Sequence, residues 1–496
     1  MQRSCGVLMH ITSLPSPYGI GTMGEQAEGF VDWLVSAGQE YWQVLPIGPT
    51  GYADSPYQSF STFAGNPYLI DLDGLVDSGL LAKKDCEEAE YGSDPSVVDY
   101  DKVSRTKMAL LKKAYSRFAE NDGYKEFVKN EAIWLDDYAL FMAVKEENSL
   151  ISWTVWKDDI RLRKPAALKE AAERLNRQTG FWKFVQYTFY TQWEQLKNYA
   201  NRKGIKMIGD IPIYVAPDSS DIWANTELFE MAADVRPKRV AGVPPDYFSA
   251  TGQLWGNPLY DWQAMKKDGY SWWLRRIEKA AKLYDIVRID HFRAFDTYWA
   301  IPAAEKTAVN GKWEQGPGMD LWNTVKDKLG EAPIIAEDLG DIFDSVKELL
   351  KDTGFPGMRV LQFGFNPQSE DNDHLPHNYP RNSVCYTGTH DNSTVLGWYK
   401  AADRKSQEMC RRYLKPRPFE KINLTMIREL YKSECGLAIV PMQDIIGLDD
   451  KARMNIPSTI GGNWNWRAES KHFTEKRAAY LKDLAETYYR LGTQKK

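Results

Sequence analysis

The stretch Asp285-Ile286-Val287-Arg288-Ile289-Asp290-His291-Phe292-Arg293 reads as a buried strand that turns polar at its end. Its β-branched, apolar start suits a parallel strand covered on both faces. Its close delivers an acid, a histidine and an arginine to one rim. Working outward, seven more runs share this form, at residues 5–11, 41–47, 206–215, 333–339, 358–363, 383–391 and 437–445. Helical patterns separate the later ones, over 321–329, 342–351, 393–399 and 419–432. Alternating strand and helix predicts a parallel sheet, and eight strands predict a closed (β/α)8 barrel, an α/β fold of the TIM type.

The gap between the second and third runs is far longer than a strand–helix unit needs. Residues 71–203 are therefore expected to form an inserted, largely helical subdomain. A second long connection, 216–283, is rich in Pro, Gly and aromatic residues, which suits an insertion carrying an active-site lid. After the last run about fifty residues remain, ending in a helical pattern at 471–490, with no room for a C-terminal β-sandwich domain. The expectation is a single catalytic barrel over 1–496. The Gly19–Gly24 segment contains G-x-G-x-x-G but follows no strand directly, so it reads as a turn.

Composition removes several classes of function. With 63 basic and 68 acidic residues the net charge is −5, and the basic stripe of a nucleic-acid binder is missing. No apolar run reaches the roughly 20 residues that span a bilayer, and the N-terminus lacks a secretory pattern. The five cysteines, Cys5, Cys86, Cys385, Cys410 and Cys435, are odd in number and scattered, which predicts free thiols and a cytoplasmic enzyme. Aromatic residues make up 13%, with 18 Trp and 27 Tyr. Flat faces with a polar handle suit sugars, although a Trp-rich core would give the same count.

Active sites of such barrels lie where the strands end. Four strand ends carry acids: Asp210, Asp290, Glu337 and Asp391. Residues two apart on a strand share a face, so Arg288 lies beside Asp290 and is expected to hold it ionised. Glu337 follows the apolar run 333–336, and desolvation there would raise its pKa. Two carboxylates of unlike character are what retaining glycoside cleavage needs, one as nucleophile and one as acid and base. Asp290 fits the first role and Glu337 the second, while Asp391 is left as a third acid to stabilise the charged transition state. Each acid could instead cap the following helix; acids at several strand ends flanked by His and Arg favour chemistry. His10, His291 and His390 also fall at strand ends, yet no pair at helical spacing and no Cys/His cluster argues for a metal, so neither metal nor cofactor is expected.

These motifs resemble the amylomaltases, or disproportionating enzymes, of glycoside hydrolase family 77. The resemblance runs along nearly the whole chain through 10–15, 55–57, 65–70, 209–215, 242–249, 252–258, 288–293, 336–340 and 389–392. It implies a 4-α-glucanotransferase that cuts α-1,4 bonds of glucans and maltooligosaccharides through a covalent glucosyl-Asp290, with Glu337 as acid/base and Asp391 as stabiliser. It further implies that Asp210, Arg288, His291 and His390 bind sugar at the cleavage point, that Tyr57 and Trp255 contact glucose rings, and that Ser55, Gln253 and Asn463 bond hydroxyls. Residues 243–257 match a loop that arches over the active site in that family. Expected partners are α-glucans, without nucleic acid or membrane, in a monomer or weak homodimer. The rival readings are an α-amylase-like hydrolase with the same acids, a metal-dependent barrel enzyme and a non-catalytic glucan-binding protein.

Overall fold

The structure, a computed structural model, describes residues 3–245, 249–340, 342–365 and 372–492. Twelve strands are present among them: β1 (Ser4–Leu8), β2 (Tyr41–Gln43), β3 (Lys206–Pro212), β4 (Arg239–Val243), β5 (Gln253–Pro258), β6 (Ile286–Asp290), β7 (Thr297–Pro302), β8 (Lys312–Gln315), β9 (Ile334–Ala336), β10 (Gly357–Val360), β11 (Ser383–Tyr386) and β12 (Leu437–Pro441). Eight form one parallel sheet in the order β10-β11-β12-β1-β2-β3-β6-β9. The N–H of Ala336 on β9 donates to the carbonyl of Pro356, just before β10, at 3.0 Å and joins the two ends. The molecule is thus the expected (β/α)8 barrel. Strands β1, β2, β9, β11 and β12 are buried along their whole length, which is why they read as unbroken apolar runs.

The strands are shorter than the runs that announce them. After β10 the chain turns into a 3-10 segment, Leu361–Phe365, and after β12 into the helix Met442–Ile446. Both continuations are buried at most positions, so burial persists where the strand does not. A four-stranded antiparallel sheet, β5-β4-β7-β8, has no counterpart in the sequence reading. It is built from two separate connections, and the contact that joins them, Gly242 of β4 opposite Trp299 of β7, is long-range.

Between β2 and β3 lie eight α-helices, from Leu72–Asp77 to the 27-residue Asn176–Arg202. That last helix grips the segment leading out of β2. Gln186 accepts from Gly65 N–H and donates to Gly65 C=O, and Gln192 does the same for Asp71. Lys107, buried, donates to the carbonyls of Tyr68 and Ile70 at 2.7 Å each. Buried polar groups cost free energy unless bonded, so these bonds define one position for the segment. At the other end of the barrel the buried Arg490 guanidinium donates to the carbonyls of Ser4, Tyr431 and Ser433, among others, tying the C-terminal segment to β1 and to the helix Ile422–Lys432.

The expectation of five free thiols needs correction. Cys385 on β11 and Cys435 just before β12 are joined as a disulfide with Cα atoms 6.4 Å apart, while Cys5, Cys86 and Cys410 are free and buried. Neighbouring strands bring together two cysteines separated by fifty residues, which spacing alone does not reveal. Among the described residues no helix is long and apolar enough to cross a membrane.

Candidate active site

Strands β3 and β6 pair in register, Asp210 opposite Arg288 and Pro212 opposite Asp290. Side chains directly across neighbouring strands meet on one face. The Arg288 Nη1 donates to both oxygens of Asp210 at 2.7 and 2.6 Å, and Nη2 donates to Asp290 Oδ1 at 2.9 Å. Arg288 and Asp210 are buried, whereas 32% of the Asp290 side chain is open to the cleft. One guanidinium therefore stands between two carboxylates. Oδ2 of Asp290 has no hydrogen-bond partner among the described residues, so the face of the carboxylate turned from Arg288 is open to the cleft.

Glu337 follows β9, next to β6, and is 8% exposed. Its Oε1 accepts from Leu339 N–H and its Oε2 from His291 N–H, both at 2.7 Å. The second bond depends on His291 adopting a left-handed backbone, φ +53°, which is uncommon for a residue with a side chain and is a form of strain found at functional sites. Burial, then the nearby Asp290 charge, pushes the Glu337 carboxyl up to about 8 against the pull of Arg288 and the two N–H groups. Burial also raises Asp290 above its ordinary value, with Arg288 pulling it down. Arg288 stands beside Asp290 as expected and pulls its carboxyl down, but it is shared with Asp210, and desolvation is the larger influence. Asp290 has the more open side chain and the direct cation contact, so the proton common to the pair rests on Glu337. The adjacent Asp338 points elsewhere: it accepts from Met358 N–H and Arg359, and so fixes the start of β10.

Asp391 lies beyond β11 with its side chain 45% exposed. Its Oδ1 accepts from Asn455 Nδ2 at 2.7 Å and lies 3.3 Å from His390 Nε2. Tyr57 stacks on His390, ring centroids 5.0 Å apart, and donates to Asp210 Oδ2 at 2.7 Å. Trp255 on β5 meets the His291 ring edge to face at 4.8 Å. Burial lowers His291 to about 3, so its imidazole is neutral and offers one donor and one acceptor.

The structure therefore gathers Tyr57, Asp210, Trp255, Arg288, Asp290, His291, Glu337, His390 and Asp391 at one end of the barrel. The other three sequence candidates mainly orient neighbours. Ser55 Oγ accepts from Tyr57 N–H at 3.2 Å, and Gln253 Oε1 accepts from the Trp255 indole at 3.1 Å. Asn463 accepts from Ile456 N–H at 3.0 Å and donates to Thr459, closing the loop 456–463 on itself. Within the motif 242–249, residues 246–248 lie outside the described residues. Sequence reading missed Asn455, Arg453 and Trp464. Arg453 donates to the Asp391 carbonyl at 2.5 Å, and Trp464 lies 5.7 Å from the Tyr57 ring and 5.8 Å from that of His390. Their signal was positional: they belong to the loop after the eighth run, which reaches the rim by the same rule as the other strand ends.

Comparison with known proteins bears on this arrangement. The model of glycoside hydrolase family 77, described as 4-alpha-glucanotransferase, matches residues 9–472. A 4-alpha-glucanotransferase of Streptococcus pneumoniae is 51% identical over 99% of this chain and 98% of that protein. One from Clostridium butyricum is 49% identical over 97% of this chain and all of that protein. The solved amylomaltase of Streptococcus agalactiae in complex with acarbose superposes with a TM-score of 0.96 at 43% identity, covering 99% of this chain and 100% of that one.

Proposed function

Since the chain belongs to glycoside hydrolase family 77, the 4-alpha-glucanotransferases, we propose how it performs that reaction and with which residues. It is an enzyme of this type, transferring α-1,4-linked glucan segments. In our reading the free Oδ2 of Asp290 attacks the anomeric carbon while Glu337 gives its proton to the departing glycosidic oxygen. The glucan is then held as an ester on Asp290. Glu337, now a carboxylate, takes the proton from the 4-hydroxyl of an acceptor glucan, whose oxygen attacks the same carbon and releases Asp290. Two inversions retain the α configuration. Asp391, held by Asn455, faces the positive charge that grows on the ring, and the neutral imidazole of His291 suits uncharged hydroxyls.

One observation carries the assignment of roles: two carboxylates at neighbouring strand ends, one against a guanidinium and open to the cleft, the other buried and raised to about 8. That difference separates nucleophile from acid. We take residues 1–496 as one catalytic unit, with 71–203 as a helical insertion and 216–283 as the insertion bearing the lid. Maltooligosaccharides are the proposed donors and acceptors. A monomer or weak homodimer in the cytoplasm is also proposed; the three separate buried thiols favour this compartment and the Cys385–Cys435 bond does not. The test is Asp290→Asn. Its thermal melt should stay near that of the wild type while transfer falls by a factor of roughly a thousand or more, over about 4 kcal/mol of barrier. Activity within about tenfold of wild type, roughly 1.4 kcal/mol, would remove Asp290 from the nucleophile's role.

A further inference from the structure

The face of the four-stranded sheet that carries Arg239 and Tyr298 forms the floor of a groove of about 900 Å³. Its walls are the segment around Met231–Val235 and the half-buried ring of Trp262. That volume falls in the range of roughly 300–1,000 Å³ typical of small-molecule sites. The groove is fixed in shape. Arg239 donates to both oxygens of Glu230 and to Glu314 at 2.6–2.7 Å, tying wall to floor. Lys238 N–H donates to the Glu230 carbonyl, and Met231 bridges to Pro237.

Tyr298 is the residue that asks for a ligand. It is only 5% exposed and lines the groove, yet its hydroxyl has no hydrogen-bond partner among the described residues. The ring is buried while the hydroxyl opens into the groove, where a ligand hydroxyl can bond it. Beside it, one oxygen each of Asp261 and Glu314 accepts no hydrogen bond from a described residue. Glu227, Glu230, Asp261 and Glu314 outnumber Lys238 and Arg239 along the groove, which disfavours phosphates and other anions. Aromatic rings with a fringe of acceptors instead match a neutral, many-hydroxyl chain.

The groove adjoins the catalytic cleft through a path of rings. Tyr260 in its wall lies 6.0 Å from Tyr214, Tyr214 lies 6.5 Å from Trp255, and Trp255 lies 4.8 Å from His291. We infer that this groove is a second α-glucan-binding site, which anchors a long chain while another part of it, or its partner in transfer, occupies the cleft. The inference rests on the glucan-transferring function proposed above.

Two variants test it. Tyr298→Phe removes a hydroxyl that bonds nothing in the protein, and Ala233→Trp puts bulk at the groove's edge. Initial rates are measured on amylose and on maltotriose, the latter short enough to use the cleft alone. Each variant should raise KM for amylose roughly three- to tenfold, the worth of about one hydrogen bond, with kcat and both maltotriose constants unchanged. Unchanged amylose kinetics in both variants overturn the second site. So does an equal shift on both substrates, which would show that the groove only supports the cleft. If the wild type makes no longer products from maltotriose, the proposed function itself has failed, a result distinct from either.

Discussion

In the proposed mechanism Glu337 holds a proton when the bond breaks and has given it up before the acceptor attacks, and its surroundings suit both demands. Burial and the Asp290 charge raise it to about 8, while the N–H groups of Leu339 and His291 keep the ionised form accessible. Two outcomes follow. The fall of kcat/KM on the basic side should centre near pH 8, where free Glu337 loses its proton. Stability has the matching sign. The folded protein keeps a proton that the unfolded chain releases at its lower pKa, so this group's contribution is complete below the ordinary value of 4.5 and is lost as pH rises to about 8. A plot of melting temperature against pH should therefore slope less in Glu337→Gln than in the wild type across that window. Glu337→Gln should also be labelled by α-glucosyl fluoride, whose leaving group needs little protonation, and gain the mass of one glucosyl unit. Labelling of Asp391→Asn but not of Glu337→Gln would exchange the two acids' roles. At this scale the sequence revealed the acids because they sit where runs end. It did not reveal that Arg288 answers first to Asp210, a partner across the strand pair and 78 residues away.

The strand ends and loops explain what else was readable. All eight barrel strands fall inside the eight apolar runs or within one residue of them, because strands covered on both faces leave an unbroken apolar signature. Their ends were not readable: Leu361–Phe365 and Met442–Ile446 stay buried at most positions, and burial alone does not distinguish strand from turn. The antiparallel sheet escaped notice because its strands are short and their pairing joins two insertions. That sheet positions Trp255, with Gln253 aiming the indole and His291 beneath it. If the ring covers the glucosyl-enzyme, removing it admits water. Trp255→Ala should then raise the ratio of hydrolysis to transfer on maltotriose, read as new reducing ends per bond cleaved. A lower rate with that ratio unchanged would mean that Trp255 orients His291 without shielding the ester.

At the scale of the whole molecule, a (β/α)8 barrel with its candidate site at one end, the central question is who resolves the proposed intermediate. Water is abundant, so transfer requires an acceptor held in line behind a cover, where alignment supplies a large effective concentration. In the proposed mechanism the Asp210–Arg288–Asp290 array, Glu337 and Asp391 would serve hydrolysis and transfer equally, and only the acceptor tells the two apart. The most direct measurement is the product ladder from pure maltotriose, followed together with the number of reducing ends. Glucose should appear alongside a series of maltooligosaccharides longer than the substrate, while reducing ends stay nearly constant because each bond broken is remade. Reducing ends rising in step with cleavage, with no product longer than maltotriose, would show a hydrolase and contradict the account.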